Sequence, residues 1–456
     1  MDKKTMIEKL MLSVHEKGGF TGAWLYAEKG VIVSKGAVGF RNAESTIPMR
    51  EDSIFDIASV SKQFTAAAVM LLRRRGLLSL DDEVSRFFPE INYPGLTIRR
   101  LLNHTGGLDD YDDEMREIWE KEGRIPDNSA IIRILAENKP ELLFVPGEQF
   151  SYSNSGYWLL AEIIEKAAGV KFEEFLKKEI FDPAGMEHTR VIHPIKTGEH
   201  IENLAVSMVL DDENGRFILP QDSQACREVI YEGDVNGDGN VHTNIFDLFK
   251  WDRVLHEGKL ITHEEQAEMY APTLLSNGEY ALDDDLLGPV CYGFGWDVIN
   301  DPEHGLIVCH SGYWPEYATW YERFIDEDKV IIKLSCRDQL DARANNALVP
   351  GLRAIAEDKE PEPVRSIEDF ETKDPDRSRW ESFCGKYEKP DDDLFVDEVF
   401  MKDNELFVKL MTDNGRTWDW KLYPLGGNEF GIKRYSFMFQ FDDGSLTYGG
   451  YTCKKQ

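Results

Sequence analysis

Ile57-Ala58-Ser59-Val60-Ser61-Lys62-Gln63-Phe64-Thr65-Ala66-Ala67-Ala68-Val69-Met70 is the stretch whose reading decides the fold. It opens on small and β-branched residues. From Ser59 it becomes a helical run carried by three alanines, Val69, Met70, Leu71 and Leu72, and it stops at Gly76. A serine at a helix start ordinarily caps unpaired backbone N–H groups. Lys62 supplies a second reading. Positions i and i+3 share a helix face, so its ammonium would lie beside the Ser59 hydroxyl. A lysine desolvated among apolar neighbours loses proton affinity and can act as a base toward a serine. Ser-x-x-Lys alone is a weak pattern, and both readings stand until partners are found elsewhere in the chain.

Upstream of this run, residues 2–17 read as a helix, and 21–28 and 31–40 as two strands of a hairpin joined across Lys29-Gly30. Downstream, Thr97 caps a short helix to Asn103, before the loop His104-Thr105-Gly106-Gly107. Helical periodicity recurs over 129–137, 156–168, 172–180 and 245–256, so residues from about 91 to 284 form a mostly helical insertion. Strand character returns at 292–299, 305–311, 317–324 and 330–336, followed by a helix over 340–357. The predicted class is α/β (α+β): an antiparallel sheet flanked by helices and interrupted by that insertion. This domain occupies 1–356. An acidic, proline-bearing linker covers 357–379, and a meander of short strands follows over 380–456 with turns at Asn414-Gly415, Gly426-Gly427 and Asp443-Gly444. The meander predicts a small antiparallel β-barrel or sandwich.

Two or three domains are expected for 456 residues, and 42% hydrophobic content is that of a folded chain. Lys and Arg number 52 against 84 Asp and Glu, so the net charge is 52 − 84 = −32. A field of that sign repels phosphate backbones and anionic lipid, which argues against nucleic-acid and membrane partners. The first ten residues are charged and amphipathic, unlike a signal peptide, and no stretch approaches the roughly 18 apolar residues of a membrane span. Six scattered cysteines without a Cys-x-x-Cys pair suit reduced core thiols, so the expected location is cytoplasmic.

Two further stretches supply partners for Ser59 and Lys62. Pro146-Gly147-Glu148-Gln149-Phe150-Ser151-Tyr152-Ser153-Asn154-Ser155-Gly156-Tyr157 is a turn-rich loop entering a helix. A tyrosine near a lysine can relay protons, and an asparagine amide can orient an amide substrate. The competing reading is a capped helix with a buried tyrosine. His310-Ser311-Gly312 ends the strand Gly305–Cys309, where a glycine would let backbone N–H groups approach a substrate oxyanion.

Taken together and in this order, the motifs resemble the serine β-lactamase and penicillin-binding-protein superfamily, in its class C-like branch with D-aminopeptidases, D-Ala-D-Ala carboxypeptidases and esterases. The text that carries the resemblance is Ile-Ala-Ser-Val-Ser-Lys (57–62), Leu-Leu-Asn-His-Thr-Gly-Gly-Leu (101–108), the 146–157 loop, Tyr-Gly-Phe-Gly-Trp (292–296) and His-Ser-Gly (310–312). It covers about residues 1–356. The resemblance implies Ser59 as acylated nucleophile, Lys62 as aid to its deprotonation, and Tyr152 as the general base and acid that shuttles the proton. It further implies Asn154 as a substrate-amide ligand and the N–H groups of Ser59 and Tyr313 as oxyanion donors. His310 and Gly312 would belong to the substrate and oxyanion wall, and the C-terminal domain would be a lipocalin-like barrel. His310 stands where many β-lactamases carry lysine, which weakens the grip on a substrate carboxylate.

Several other features are set aside. Lys196-Thr197-Gly198 spells the lysine form of the third motif but has no strand before it, so it reads as a surface turn. Asp234-x-Asn236-x-Asp238-Gly239 starts like a calcium loop but has Ile245 where a bidentate glutamate is needed. No metal and no cofactor are expected. Trp314 and Glu316 would narrow the pocket and favour a cationic group, and Asp109 and Tyr111 near His104 are further specificity candidates. The expected function is a serine hydrolase acting through an acyl-enzyme on amides, peptides or esters containing D-amino acids. A β-lactamase or D-Ala-D-Ala carboxypeptidase is the first alternative, and a non-catalytic binder or sensor on the same fold is the second. The expected partner is a small-molecule or peptide substrate, with a homo-oligomer left open.

Overall fold

A computed structural model describes residues 1–456 apart from 212–215, 224–225, 286–287, 338–339, 391–393, 413–416 and 437. The chain divides into two compact units. One holds Met1–Glu8, Thr21–Val209 and Phe217–Asp338, and the other holds Lys9–Phe20, Leu210–Arg216 and Gln339–Gln456. The N-terminal helix (Lys3–Glu16) therefore contributes to both, and the helix Leu348–Ala356 groups with the C-terminal unit.

The first unit is built on an eight-stranded sheet. Its strands are β1 (Gly22–Glu28), β2 (Val31–Val38), β3 (Leu282–Asp285), β4 (Gly288–Tyr292), β5 (Asp297–Asp301), β6 (Gly305–Trp314), β7 (Tyr317–Phe324) and β8 (Lys329–Ser335). Their order is β2-β1-β8-β7-β6-β5-β4-β3, antiparallel throughout. The predicted hairpin closes at Lys29 and Gly30, both with positive φ, as a two-residue primed turn requires. Central strands β1 and β8 are buried almost along their length, which explains their near-continuous apolar sequences.

Between β2 and β3 lies the helical insertion, with α1 (Lys62–Arg74), α2 (Ile98–Leu102), α3 (Asp112–Glu122), α4 (Asn154–Ala168) and α5 (Ile245–Glu257). Residues 62–72 of α1 are all buried, in one hydrophobic core with α4, α5 and the sheet. That burial, rather than intrinsic propensity, fixes where α1 lies.

Two strand boundaries depart from the sequence expectation. The run predicted as one strand over 292–299 is two, because the chain turns through Gly293-Phe294-Gly295-Trp296 and the Gly293 N–H donates to the Trp296 carbonyl at 2.8 Å. His310-Ser311-Gly312 does not end a strand. Beta6 runs on to Trp314, paired residue by residue with β7 from Ile307↔Phe324 to Trp314↔Tyr317.

In the C-terminal unit, a four-stranded sheet (Gly385–Lys386, Leu394–Lys402, Glu405–Thr412, Thr417–Lys421) and a five-stranded sheet spanning residues 423–454 share a core that includes Val396, Leu406, Phe430 and Phe441. An isolated bridge, Tyr387↔Lys455, joins them on one side. Among the described residues no ladder joins Thr417–Lys421 to Tyr423–Gly426, so the expected barrel is not closed. The reason is local: only the buried Leu422 separates those strands, and a hairpin needs at least two loop residues, so the chain passes to the other sheet. The Asn414-Gly415 turn lies outside the described residues. No helix among the described residues is long and apolar enough to cross a membrane.

Candidate active site

The Ser59 turn is held from both sides. Phe55–Asp56 pairs with Val241–Thr243, and the Ile57 N–H donates to the Val241 carbonyl at 3.0 Å. On the other side, the Thr319 hydroxyl of β7 donates to the Ile57 carbonyl at 2.8 Å. Ala58 adopts φ +48°, and Asp56 accepts its N–H at 2.8 Å. The chain then makes one 3-10 turn, Ala58–Ser61, before α1 begins at Lys62. Beta6 can approach this turn only because residue 312 is glycine. A Cβ there would stand 2.4 Å from the Ile57 carbonyl oxygen and 2.3 Å from Thr319 Oγ1. Gly312→Ala should therefore push the Ser59 turn off β6 and lower kcat/KM by roughly 10²-fold, with steady-state kinetics as the check.

No side-chain capping bond forms at either end of the 3-10 turn's junction with α1. The Ser59 hydroxyl instead accepts from Lys62 Nζ at 3.0 Å. Lys62 is fully buried, and its Nζ also donates to Asn154 Oδ1 at 2.7 Å and to the Asp238 carbonyl at 3.3 Å. Burial pulls its pKa down to about 8, partly countered by the charges of Asp238, Asp110 and Asp283. At that value the ammonium can give up its proton near neutral pH.

Asn154 begins α4, behind the N-cap Ser153, whose hydroxyl accepts from the Gly156 N–H at 3.2 Å. Asp110 fixes this entry. Its carboxylate accepts from Asn154 Nδ2 and from the Ser155 N–H, each at 3.0 Å. Tyr152 precedes the cap, with Lys62 Nζ 4.8 Å from its ring centroid. Burial holds the Tyr152 phenol well above its ordinary pKa, although a hydrogen bond with Ser59 opposes this, so the hydroxyl stays protonated.

His104 was legible only as part of a loop, yet its ring stacks on Tyr152 with centroids 4.2 Å apart. The Ser153 N–H donates to His104 Nδ1 at 3.1 Å, so the imidazole proton sits on Nε2, which is buried without a hydrogen-bond partner among the described residues. The Tyr292 ring stands edge-on to His104 at 4.7 Å, and its hydroxyl donates to His310 Nε2 at 2.9 Å. The other His310 nitrogen donates to the Ser311 carbonyl at 2.5 Å. Burial and the nearby Lys62 charge depress His310 to about 3, so it is a neutral ring in a buried aromatic wall.

The cleft over Ser59, of about 450 Å³ with its solvent-open space, is lined by Ala58, Asn154, Tyr313, Trp314 and the 232–240 loop. Of the described residues lining it, Asp56, Glu232 and Asp238 carry carboxylates and none carries a cationic side chain. The structure thus brings Ser59, Lys62, Tyr152, Asn154, His310, Tyr313 and Trp314 together. Glu316 lies aside, its carboxylate accepting from the Tyr313 hydroxyl at 3.2 Å. Asp109 is exposed and Tyr111 is buried in the core, and both stand outside the set that lines the cleft. Asp110, one of the acidic residues near His104 that the sequence offered for an amine, instead holds Asn154 and the start of α4. Thr319 and Glu232 are site residues that only the fold brings here. Lys196 pairs with Asp234 at an exposed one-turn helix, Pro194–Thr197.

A depressed lysine beside a serine hydroxyl, backed by a protonated tyrosine and set against an antiparallel sheet, is a serine hydrolase arrangement. The chain belongs to the Beta-lactamase family, whose model matches residues 7–350. It is 37% identical over 338 residues to Penicillin-binding protein 4* of Bacillus subtilis, an alignment covering 74% of this chain and 73% of that one. It is 25% identical over 290 residues to a D-aminopeptidase of Gluconobacter oxydans, covering 60% of this chain and 48% of that one. Among solved structures, the octameric penicillin-binding protein homologue from Pyrococcus abyssi superposes with a TM-score of 0.67 at 22% identity, over 100% of both chains.

Proposed function

We propose that this serine hydrolase acylates Ser59 and that its substrates are amides, peptides or esters of D-amino acids. The observation that carries the reading is Lys62 Nζ, buried and lowered to about 8, at 3.0 Å from Ser59 Oγ. Once neutral, the same nitrogen accepts the Ser59 proton as the oxygen attacks the substrate carbonyl. The N–H groups of Ser59 and Tyr313, both on the cleft wall, receive the developing oxyanion. The proton reaches the leaving nitrogen or oxygen through the Tyr152 hydroxyl, which is protonated and ready to donate. Asn154 holds Lys62 through Oδ1 and has an amide N–H left for the substrate. Water then attacks the acyl-enzyme by the reverse proton route.

Neutral His310 argues against a β-lactamase or D-Ala-D-Ala carboxypeptidase, because it supplies no fixed positive charge for a substrate carboxylate. The similarity to a D-aminopeptidase supports D-amino-acid substrates. A binder or sensor would have no use for a buried lysine poised on a serine.

A fluorophosphonate probe should label the protein, with the adduct on the peptide that contains Ser59. Lys62 must lose its proton to act, so kcat/KM should rise with pH through an apparent pKa of about 8 and level off above it. Rapid nitrocefin hydrolysis with no turnover of D-alanine p-nitroanilide would overturn the substrate class.

A further inference from the structure

The loop that follows the short helix Glu228–Tyr231 is braced more heavily than a surface turn needs. Asn128 clamps the Asn236 backbone on both sides, accepting its N–H at 2.7 Å and donating to its carbonyl at 2.8 Å. Asn240 Nδ2 donates to the Val235 carbonyl at 2.7 Å, and the Thr65 hydroxyl of α1 donates to the Gly237 carbonyl at 2.6 Å. Lys62 Nζ, as noted, holds the Asp238 carbonyl. This bracing presents two carboxylates, Glu232 and Asp238, to the cleft that holds Ser59, with Asp56 on the same wall.

Glu232 differs from the other two. It is only 8% exposed, and no hydrogen bond or ion pair to a described residue engages its carboxylate. Asp56, by comparison, accepts the Ala58 N–H, and Asp238 faces the Lys62 charge. A buried carboxylate without a partner is costly: burial, and then the like charge of Asp112, Asp238, Glu228 and Asp110, hold the Glu232 pKa well above the ordinary carboxylate range, so the group ionises there only against a cation. Among the described residues that line the cleft, none carries a cationic side chain to offset this charge. What offsets such a site is a cation brought in by the ligand.

We infer that Glu232, with Asp238, forms a subsite for an ammonium group, and that the preferred substrates carry a free amine close to the acyl carbon that Ser59 attacks. This rests on the proposed role of Ser59 and deepens it. The subsite selects N-terminal amino-acid amides and esters over N-acylated or carboxylate-bearing ones. A second, more apolar cleft, of about 800 Å³ with its solvent-open space, shares Asp56, Asn240 and Trp314 with the first and is lined further by Ile195, Leu204 and Val206.

The test compares two p-nitroanilides with the full-length protein: D-phenylalanine p-nitroanilide and its 3-phenylpropionyl counterpart, which differs only in lacking the amine. The wild type should favour the amine by roughly 10- to 100-fold in kcat/KM, the range of one charge-assisted contact. In Glu232→Gln that ratio should fall at least 10-fold, mainly through KM. Phenethylamine should slow fluorophosphonate labelling of Ser59 in the wild type and protect Glu232→Gln much less, a readout that also establishes that the variant is folded. Labelling intact but no preference for the amine in the wild type, or a ratio unchanged in Glu232→Gln, overturns the subsite. No labelling of wild-type Ser59 at all defeats the nucleophile assignment instead, so the two failures are distinct.

Discussion

Ser59→Ala should reduce turnover on the order of 10⁴-fold or more and abolish fluorophosphonate labelling, while leaving the melting temperature nearly unchanged. Stability and activity must be read together, because the two interpretations of Ser59 predict opposite patterns. A capping serine replaced by alanine costs about 0.5 to 2 kcal/mol and leaves chemistry alone. Here no side-chain capping bond exists at the start of α1, and the hydroxyl meets Lys62 Nζ at 3.0 Å and the Tyr152 phenol instead. The turn itself is held by the Ile57 N–H, the Ile57 carbonyl and the Ala58 N–H, none of which the substitution touches. Thermal unfolding, steady-state kinetics and labelling on the same preparation decide the matter. A variant that keeps wild-type labelling, or that loses activity only in step with its fold, refutes the assignment of Ser59.

The i, i+3 spacing of Ser59 and Lys62 was readable because a helical turn of either kind places those side chains on one face, even though Ser59 lies in a 3-10 turn and only Lys62 opens the α-helix. The hairpin at Lys29-Gly30 and the cap at Thr97 were readable for the same reason: each is a local contract between neighbouring residues. What stayed hidden depends on distant partners. Polar His310 and Ser311 look like the end of a strand, but pairing with β7 carries β6 through them to Trp314. Thr319 matters only because β7 places its hydroxyl under the Ile57 carbonyl, 262 residues away in sequence. His104 reads as a loop residue until the 146–157 segment folds over it and stacks Tyr152 on its ring. Glu232 has no pattern at all. Its interest comes from being buried without a partner among the described residues, which is a property of the cleft.

Lys62→Met is the second large effect. Methionine keeps most of the unbranched stem that fills the core beside α4 but removes the base, so kcat should fall by roughly 10²- to 10⁴-fold. The substitution also strips Asn154 Oδ1 of its 2.7 Å donor and leaves Asp238 and Asp110 without the cation they face. An unpartnered buried acceptor costs about 1 to 3 kcal/mol, so the melting temperature should drop and activity must be measured well below it. The pH profile separates lost chemistry from lost packing. If Lys62 is the group whose deprotonation admits catalysis, the residual activity of Lys62→Met loses the limb at about 8, whereas a purely structural lysine would leave that limb in place at lower amplitude. Lys62→Arg sharpens the distinction. Its guanidinium can still hold Asn154 and face Asp238, yet it does not deprotonate in this range, so it should recover stability without recovering turnover. Recovery of both would make Lys62 a packing and charge-pairing residue and shift the base role to another group in the cleft.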